Sequence, residues 1–123
     1  PEFGNKVHEV AEKYAKGEDI EPRNEDEENV KEFIDSLEGE LRSEEPIKIP
    51  EEGSDRKVLY RGKIDLLHIK EDEVEIIDWK TDLTKENDEE YRKQLHIYGR
   101  GIRQLFDDKE VKEKIIHTSD QTV

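Results

Sequence analysis

An acid and a base stand two residues apart at the end of an apolar run, in the stretch Ile76, Ile77, Asp78, Trp79, Lys80, Thr81. In a strand, residues i and i+2 share a face, so Asp78 and Lys80 project together. A second acid, Asp65, lies 13 residues earlier in another strand-like run, after Gly62. Paired strands sit about 5 Å apart, which lets Asp65 and Asp78 converge on one point. Two carboxylates in one place repel unless a cation lies between them. Oxygen donors suit Mg²⁺ or Mn²⁺. Such an ion binds a phosphate oxygen and lowers the pKa of a bound water, and a neighbouring lysine orients that water or stabilises charge developing on phosphate. Metal-assisted phosphodiester hydrolysis is the reaction that fits this set. An isolated Asp-x-Lys has a plainer reading, an exposed ion pair at a strand's end, because charged residues are usually outside.

The elements that must position these residues follow from apolar spacing. Val7, Val10, Ala11 and Tyr14 fall at helical intervals over 4–16, and Gly17 stops the pattern. Residues 18–28 are acidic and polar and read as a solvated loop. Val30, Phe33, Ile34, Leu37 and Leu41 share one face of a helix predicted over about 26–42. Pro46 and Pro50 bracket a short extended piece at 47–49, and Gly53 marks a turn at 51–55. Residues 57–69 and 73–80 are rich in β-branched and aromatic residues and read as two strands of a hairpin, with polar 70–72 between them. Tyr91, Leu95, Tyr98, Ile102 and Leu105 keep helical register over 88–106, and 112–118 reads as a last strand. The order is α-α-β-β-β-α-β.

At 123 residues the chain has the size of one compact domain. Only 30% of residues are hydrophobic and 46% are charged, but the apolar ones cluster in 58–69, 74–79 and 95–106, enough to build a core. The formal net charge of −14 argues against binding nucleic acid through general electrostatics. Without cysteine there is no disulfide, thiolate zinc site or cysteine-ligated cluster. No apolar run reaches a membrane span and no signal peptide is visible, so a cytoplasmic domain with no membrane partner is expected. A chain that opens on Pro1 and has no Met reads as an excised or processed piece.

Taken in order, Gly62-Lys-Ile-Asp65-Leu-Leu, Ile77-Asp78-Trp-Lys80-Thr81 and Gln94-Leu-His-Ile-Tyr98 resemble the PD-(D/E)XK nuclease superfamily. The likeness is closest to its RecB-like branch, found at the C-terminus of helicase–nucleases of the RecB, AddA and AddB kind. That branch also carries a histidine on its first helix, where this chain has Gly4-Asn-Lys-Val-His8-Glu. The resemblance spans residues 4–98. It implies an α/β, restriction-endonuclease-like αβββαβ core with a central mixed sheet flanked by helices. Residues 1–123 would form one nuclease domain, a fragment of a larger helicase–nuclease. It would act on DNA with Mg²⁺ or Mn²⁺ beside a helicase domain of the same or a partner chain.

The resemblance also implies roles. Asp65 and Asp78 would be carboxylate metal ligands, the backbone carbonyl of Trp79 a further ligand, and His8 one more from the first helix. Lys80 would be the catalytic lysine, with Gln94 and Tyr98 beside the site. Trp79 departs from the commoner Tyr, and the spacer between His8 and Asp65 is short. Outside the resemblance, His8 reads as an ordinary helix histidine, and Tyr98 fits the apolar stripe as well as a site. Arg61, Arg92 and Arg100, with Arg56, Lys57, Lys63, Lys93 and Arg103, are the candidate phosphate-facing groups, or else a solvated face balancing many acids. A nuclease tethered to a helicase needs little DNA affinity of its own, so weak DNA binding is expected of this chain. The same fold without activity, as a structural or DNA-guiding module, is the alternative. An iron–sulfur CRISPR-associated nuclease of the same superfamily does not suit a chain without cysteine.

Overall fold

The computed structural model describes residues 2–50, 58–81 and 88–118. The turn expected at 51–55 and the candidate phosphate contacts Arg56 and Lys57 lie outside the described residues. The elements are α1 (Glu2–Ala15), α2 (Glu25–Asp35), β1 (Glu40–Pro50), β2 (Val58–Ile69), β3 (Glu73–Lys80), α3 (Asp88–Leu105) and β4 (Glu110–His117). The strands form one mixed sheet in the order β1-β2-β3-β4, antiparallel except for the parallel β3–β4 pair, which α3 connects. The expected α/β class, with a mixed sheet flanked by helices, is the one observed.

The helices cover opposite faces of the sheet. On one, Leu95, Tyr98 and Ile102 of α3 pack on Ile47, Ile49, Ile64, Leu67, Val74 and Ile76. On the other, Val7, Val10, Ala11 and Tyr14 of α1 join Val30 and Ile34 of α2 over Leu66, Ile77 and Trp79. The two apolar clusters offset the low overall hydrophobic content, since buried apolar area stabilises in proportion to its extent.

One expectation needs correction. The second helix ends at Asp35, not near 42, and residues 40–50 form β1, paired with β2 along its length. Ser36 caps α2, and Gly39 takes φ +108, a conformation that favours glycine. Leu37 and Leu41 still reach the cluster under α1 and α2, as their spacing suggests, but Leu41 does so from a strand. Pro46 and Pro50 fit β1 because it is an edge strand, where a missing N–H leaves no ladder bond unmade.

Two features bear on the site. The β2–β3 ladder runs from the Ile69–Val74 rung to the Leu66–Ile77 rung and goes no further. The residues immediately beyond that last rung are Asp65 and Asp78. β2 also reverses its facing here: Ile64 and Leu67 pack toward α3, whereas Asp65 and Leu66 turn toward α1. The opposite residue of β1, Glu44, has φ +50, a strained value for a non-glycine residue.

Candidate active site

Where the β2–β3 ladder stops, backbone groups lose their partners and must find others. The Trp79 N–H donates to Asp65 Oδ2 at 2.9 Å, so the first carboxylate closes the gap between the strands. The same oxygen lies 3.1 Å from His8 Nε2, which ties α1 to the gap. Asp78 enters from the other side and shares a hydrogen bond with Asp65. Burial, then the charge of Asp65, then that hydrogen bond push the Asp78 carboxyl up to about 8, against partial relief from His8. Two carboxyl groups so placed repel each other, and a cation between them would relieve the repulsion. The convergence expected from the sequence is present.

Lys80 is 2% exposed, and its Nζ stands 4.7 Å from the centre of the Tyr91 ring. Its backbone is fixed from β4, because Thr118 N donates to Lys80 O at 3.0 Å. Thr118 is held in turn by α2: its hydroxyl donates to Asp26 Oδ1 at 2.7 Å, and Asn29 Nδ2 donates to its carbonyl at 2.8 Å. The Trp79 side chain is buried under α1 and α2 and meets Phe33 edge-on at 5.7 Å. It packs in the core and leaves its backbone at the gap.

Gln94 and Tyr98 share one face of α3, and Gln94 Nε2 donates to the Tyr98 hydroxyl at 3.1 Å. The Tyr98 side chain packs in the core and reaches Gly62, where an added Cβ would stand 2.5 Å from the hydroxyl. The glycine of the Gly62–Asp65 motif is therefore needed for close approach by an aromatic ring. Tyr98 is thus a core residue whose hydroxyl stands at Gly62 and Gln94. Arg61, Arg92 and Arg100 are exposed, and Arg92 and Arg100 lie on α3 while Arg61 lies on β2, so they do not form one patch by continuity of an element.

Two neighbours of the site escape a reading of the sequence. Glu44 faces Asp65 across β1 and β2; burial and the Asp65 charge raise its pKa, while Lys63, 3.7 Å away, lowers it. Its place is hidden because residues near 40 read as the tail of a helix. Tyr91 reads only as part of the apolar stripe of α3, although it stands three residues before Gln94 and so on the same side. Among the described residues no group of three or more His, Asp and Glu is already spaced to hold a metal ion; the contacts are the pairs His8–Asp65 and Asp65–Asp78. The donor types, two carboxylates with an imidazole, still suit a hard divalent ion.

A mixed sheet between helices, with paired acids and a buried lysine at the point where two strands part, defines a nuclease-type α/β domain. The sequence pattern of the PD-(D/E)XK nuclease superfamily matches residues 36–121, and the chain belongs to that superfamily. Two relatives, each named as the A subunit of an ATP-dependent helicase/nuclease, come from Carboxydothermus hydrogenoformans and Lachnoclostridium phytofermentans. Each is 41% identical over 70 residues, 53% of this chain. The aligned part is 6% of the first relative and 5% of the second, so the chain spans only a small part of the length of the curated relatives it matches. No helix among the described residues is long and apolar enough to cross a membrane.

Proposed function

We propose that this chain is one nuclease domain of a larger, cytoplasmic helicase–nuclease and hydrolyses DNA phosphodiester bonds with Mg²⁺ or Mn²⁺. The observation that carries the reading is the Asp65–Asp78 pair, brought together where the β2–β3 ladder ends. Asp65, Asp78, the Trp79 carbonyl and His8 would hold the ion, and Glu44 stands by as a further carboxylate. Bound there, the ion would polarise a phosphate oxygen and lower the pKa of a water. Lys80, whose backbone is held by Thr118 and whose Nζ stands over the Tyr91 ring, would supply the ammonium for charge developing on phosphate. Gln94 and Tyr98, hydrogen-bonded to each other on α3, would stand beside the substrate.

Purified wild type, Asp78→Ala and Lys80→Ala are compared on linear DNA with Mg²⁺ or Mn²⁺, with circular dichroism as the check on folding. Both variants are expected to fold and to lose cleavage. Cleavage at the wild-type rate in either one rejects the reading. One observation favours the alternative, an inactive nuclease-fold module: no described trio of donors is already spaced for a metal ion. Calorimetry with Mn²⁺ separates the two, because an intact site binds the ion and loses it in Asp65→Ala, whereas an inactive module gives no heat in either.

A further inference from the structure

A nuclease site needs a surface for the strand it cuts, and the charges on the sheet mark one. On β1, Ile47 and Ile49 face α3, so Lys48 between them points to the other side. On β2, Gly62 and Ile64 face α3, so Arg61 and Lys63 point with Lys48. The register sets Lys48 directly opposite Arg61 and Pro46 opposite Lys63. Like charges directly opposed across a ladder destabilise it. The chain carries 35 acids against 21 Lys and Arg, yet among the described residues neither Lys48 nor Arg61 makes an ion pair. Both are exposed, and so is Lys63.

The row leads to the acid pair. Lys63 is two residues from Asp65 on β2, and Asp65 turns to the same, α1-facing side. Same-face steps along a strand are about 7 Å, close to two rises of about 3.4 Å along the axis of a duplex. Lys63 stands 3.7 Å from Glu44, and several cations of α3 also lie near acids. Arg103 and His96 stand 3.6 and 3.9 Å from Glu113, and Lys93 stands 3.8 Å from Glu90.

We propose that the α1-facing side of the β1–β2 ribbon, carrying Lys48, Arg61 and Lys63, is the surface that binds the phosphates of the substrate strand and leads them to Asp65 and Asp78. The contacts are to phosphate alone, so the surface reads no base sequence. This rests on the nuclease reading of the site, but its test has an arm that does not need cleavage.

The double variant Lys48→Gln/Arg61→Gln is compared with wild type and with Arg92→Gln/Arg100→Gln. Cleavage of linear DNA is followed with Mg²⁺ across a salt series, and binding of fluorescent DNA is followed by anisotropy in EDTA. Each lost phosphate contact removes about 0.7 to 0.9 from the slope of log affinity against log salt, or roughly five- to eightfold in affinity at about 0.1 M salt. For the ribbon double variant, KM and Kd should rise roughly 25- to 60-fold with kcat within about twofold, and the slope should fall by about 1.4 to 1.8. The α3 double variant should change neither. Unchanged KM, Kd and slope in the ribbon variant overturn the proposal, as does a shift confined to the α3 variant or an absence of wild-type binding at about 0.05 M salt. If wild type binds but does not cut, the nuclease reading falls while the anisotropy arm still decides the ribbon.

Discussion

Glu75 and Asp78 stand three residues apart on β3, and their carboxyl groups are driven in opposite directions. Burial alone would raise Glu75, but hydrogen bonds from Lys114 and His68 outweigh it and hold the carboxyl below its usual range, with Lys70 adding to them. Lys114 Nζ lies 2.6 Å from Oε2, and His68 Nδ1 lies 2.8 Å from Oε1. The other ring nitrogen of His68 meets the carbonyl of Glu38, so a ring carrying both N–H protons satisfies both acceptors. This cluster joins β2, β3, β4 and the α2–β1 connection, and its charges are matched. At Asp78 the largest charge effect comes from another carboxylate, and the carboxyl rises to about 8. The matched cluster ties four segments of the fold together, whereas the unmatched one has its charge unrelieved except by His8. Perturbed acids mark function only when their neighbours fail to balance them.

The sharpest way to break this comparison is to remove each acid in turn. Asp78→Asn should abolish Mn²⁺ binding and reduce cleavage on the order of a thousandfold, since a bound ion supplies several kcal/mol to such a transition state. The metal-free protein should be as stable as wild type or more so, because an unbalanced buried acid is gone. Metal titration, turnover and urea unfolding on the same preparation test both halves. A variant that loses stability but keeps metal binding reverses the assignment.

Glu75→Ala should do the opposite. It leaves His68 and Lys114 without their carboxylate, and breaking a buried pair typically costs about 3 kcal/mol or more. Urea unfolding should show that loss, while cleavage per folded molecule stays near wild type. A fall in turnover without a fall in stability would give Glu75 a role in the chemistry.

A smaller effect is expected at the contact between β2 and α3. Gly62→Ala places a methyl where the Tyr98 ring lies, and overpacking of this kind typically costs about 1–3 kcal/mol. The Gln94–Tyr98 hydrogen bond should be disturbed with it. Pairing Gly62→Ala with Tyr98→Phe in a double-mutant cycle measures the coupling, and simple additivity would show that the two residues act apart.

The sequence shows one of the two clusters and not the other, for a physical reason. Asp65, Asp78 and Lys80 are legible because period-2 runs identify β2 and β3, and i, i+2 spacing sets a common direction. The order of elements is legible for the same cause, since α1 and α3 repeat strongly every 3.6 residues. β1 is legible only in its second half, as the extended piece at 47–49, because Leu37 and Leu41 prolong the helical period of α2 over its first residues. With the start of β1 read as helix, Glu44 has no visible reason to lie opposite Asp65. The match of His68 to Glu75 and Lys114 depends on strand register and on the β4 pairing, which no local pattern encodes. The gap that admits Asp65 depends on where a ladder stops, and that is a tertiary outcome.

A last expected effect is a difference in pH dependence of the metal-free protein. The lowered Glu75 contributes stability above its unfolded value near 4.5, and that contribution is lost as pH falls through the folded pKa. The raised Asp78 works with the other sign. Its folded form keeps a proton that the unfolded chain releases near 3.8, so its contribution is full below that pH and disappears as pH rises toward about 8. Thermal unfolding in EDTA should therefore show wild type losing stability relative to Asp78→Asn between about pH 4 and 8. Mn²⁺ competes with the proton on Asp78, so the stabilisation it gives wild type should grow over the same interval. A wild-type-minus-variant difference that stays flat from about pH 4 to 8 would mean that Asp78 is balanced after all, and the contrast with Glu75 would vanish.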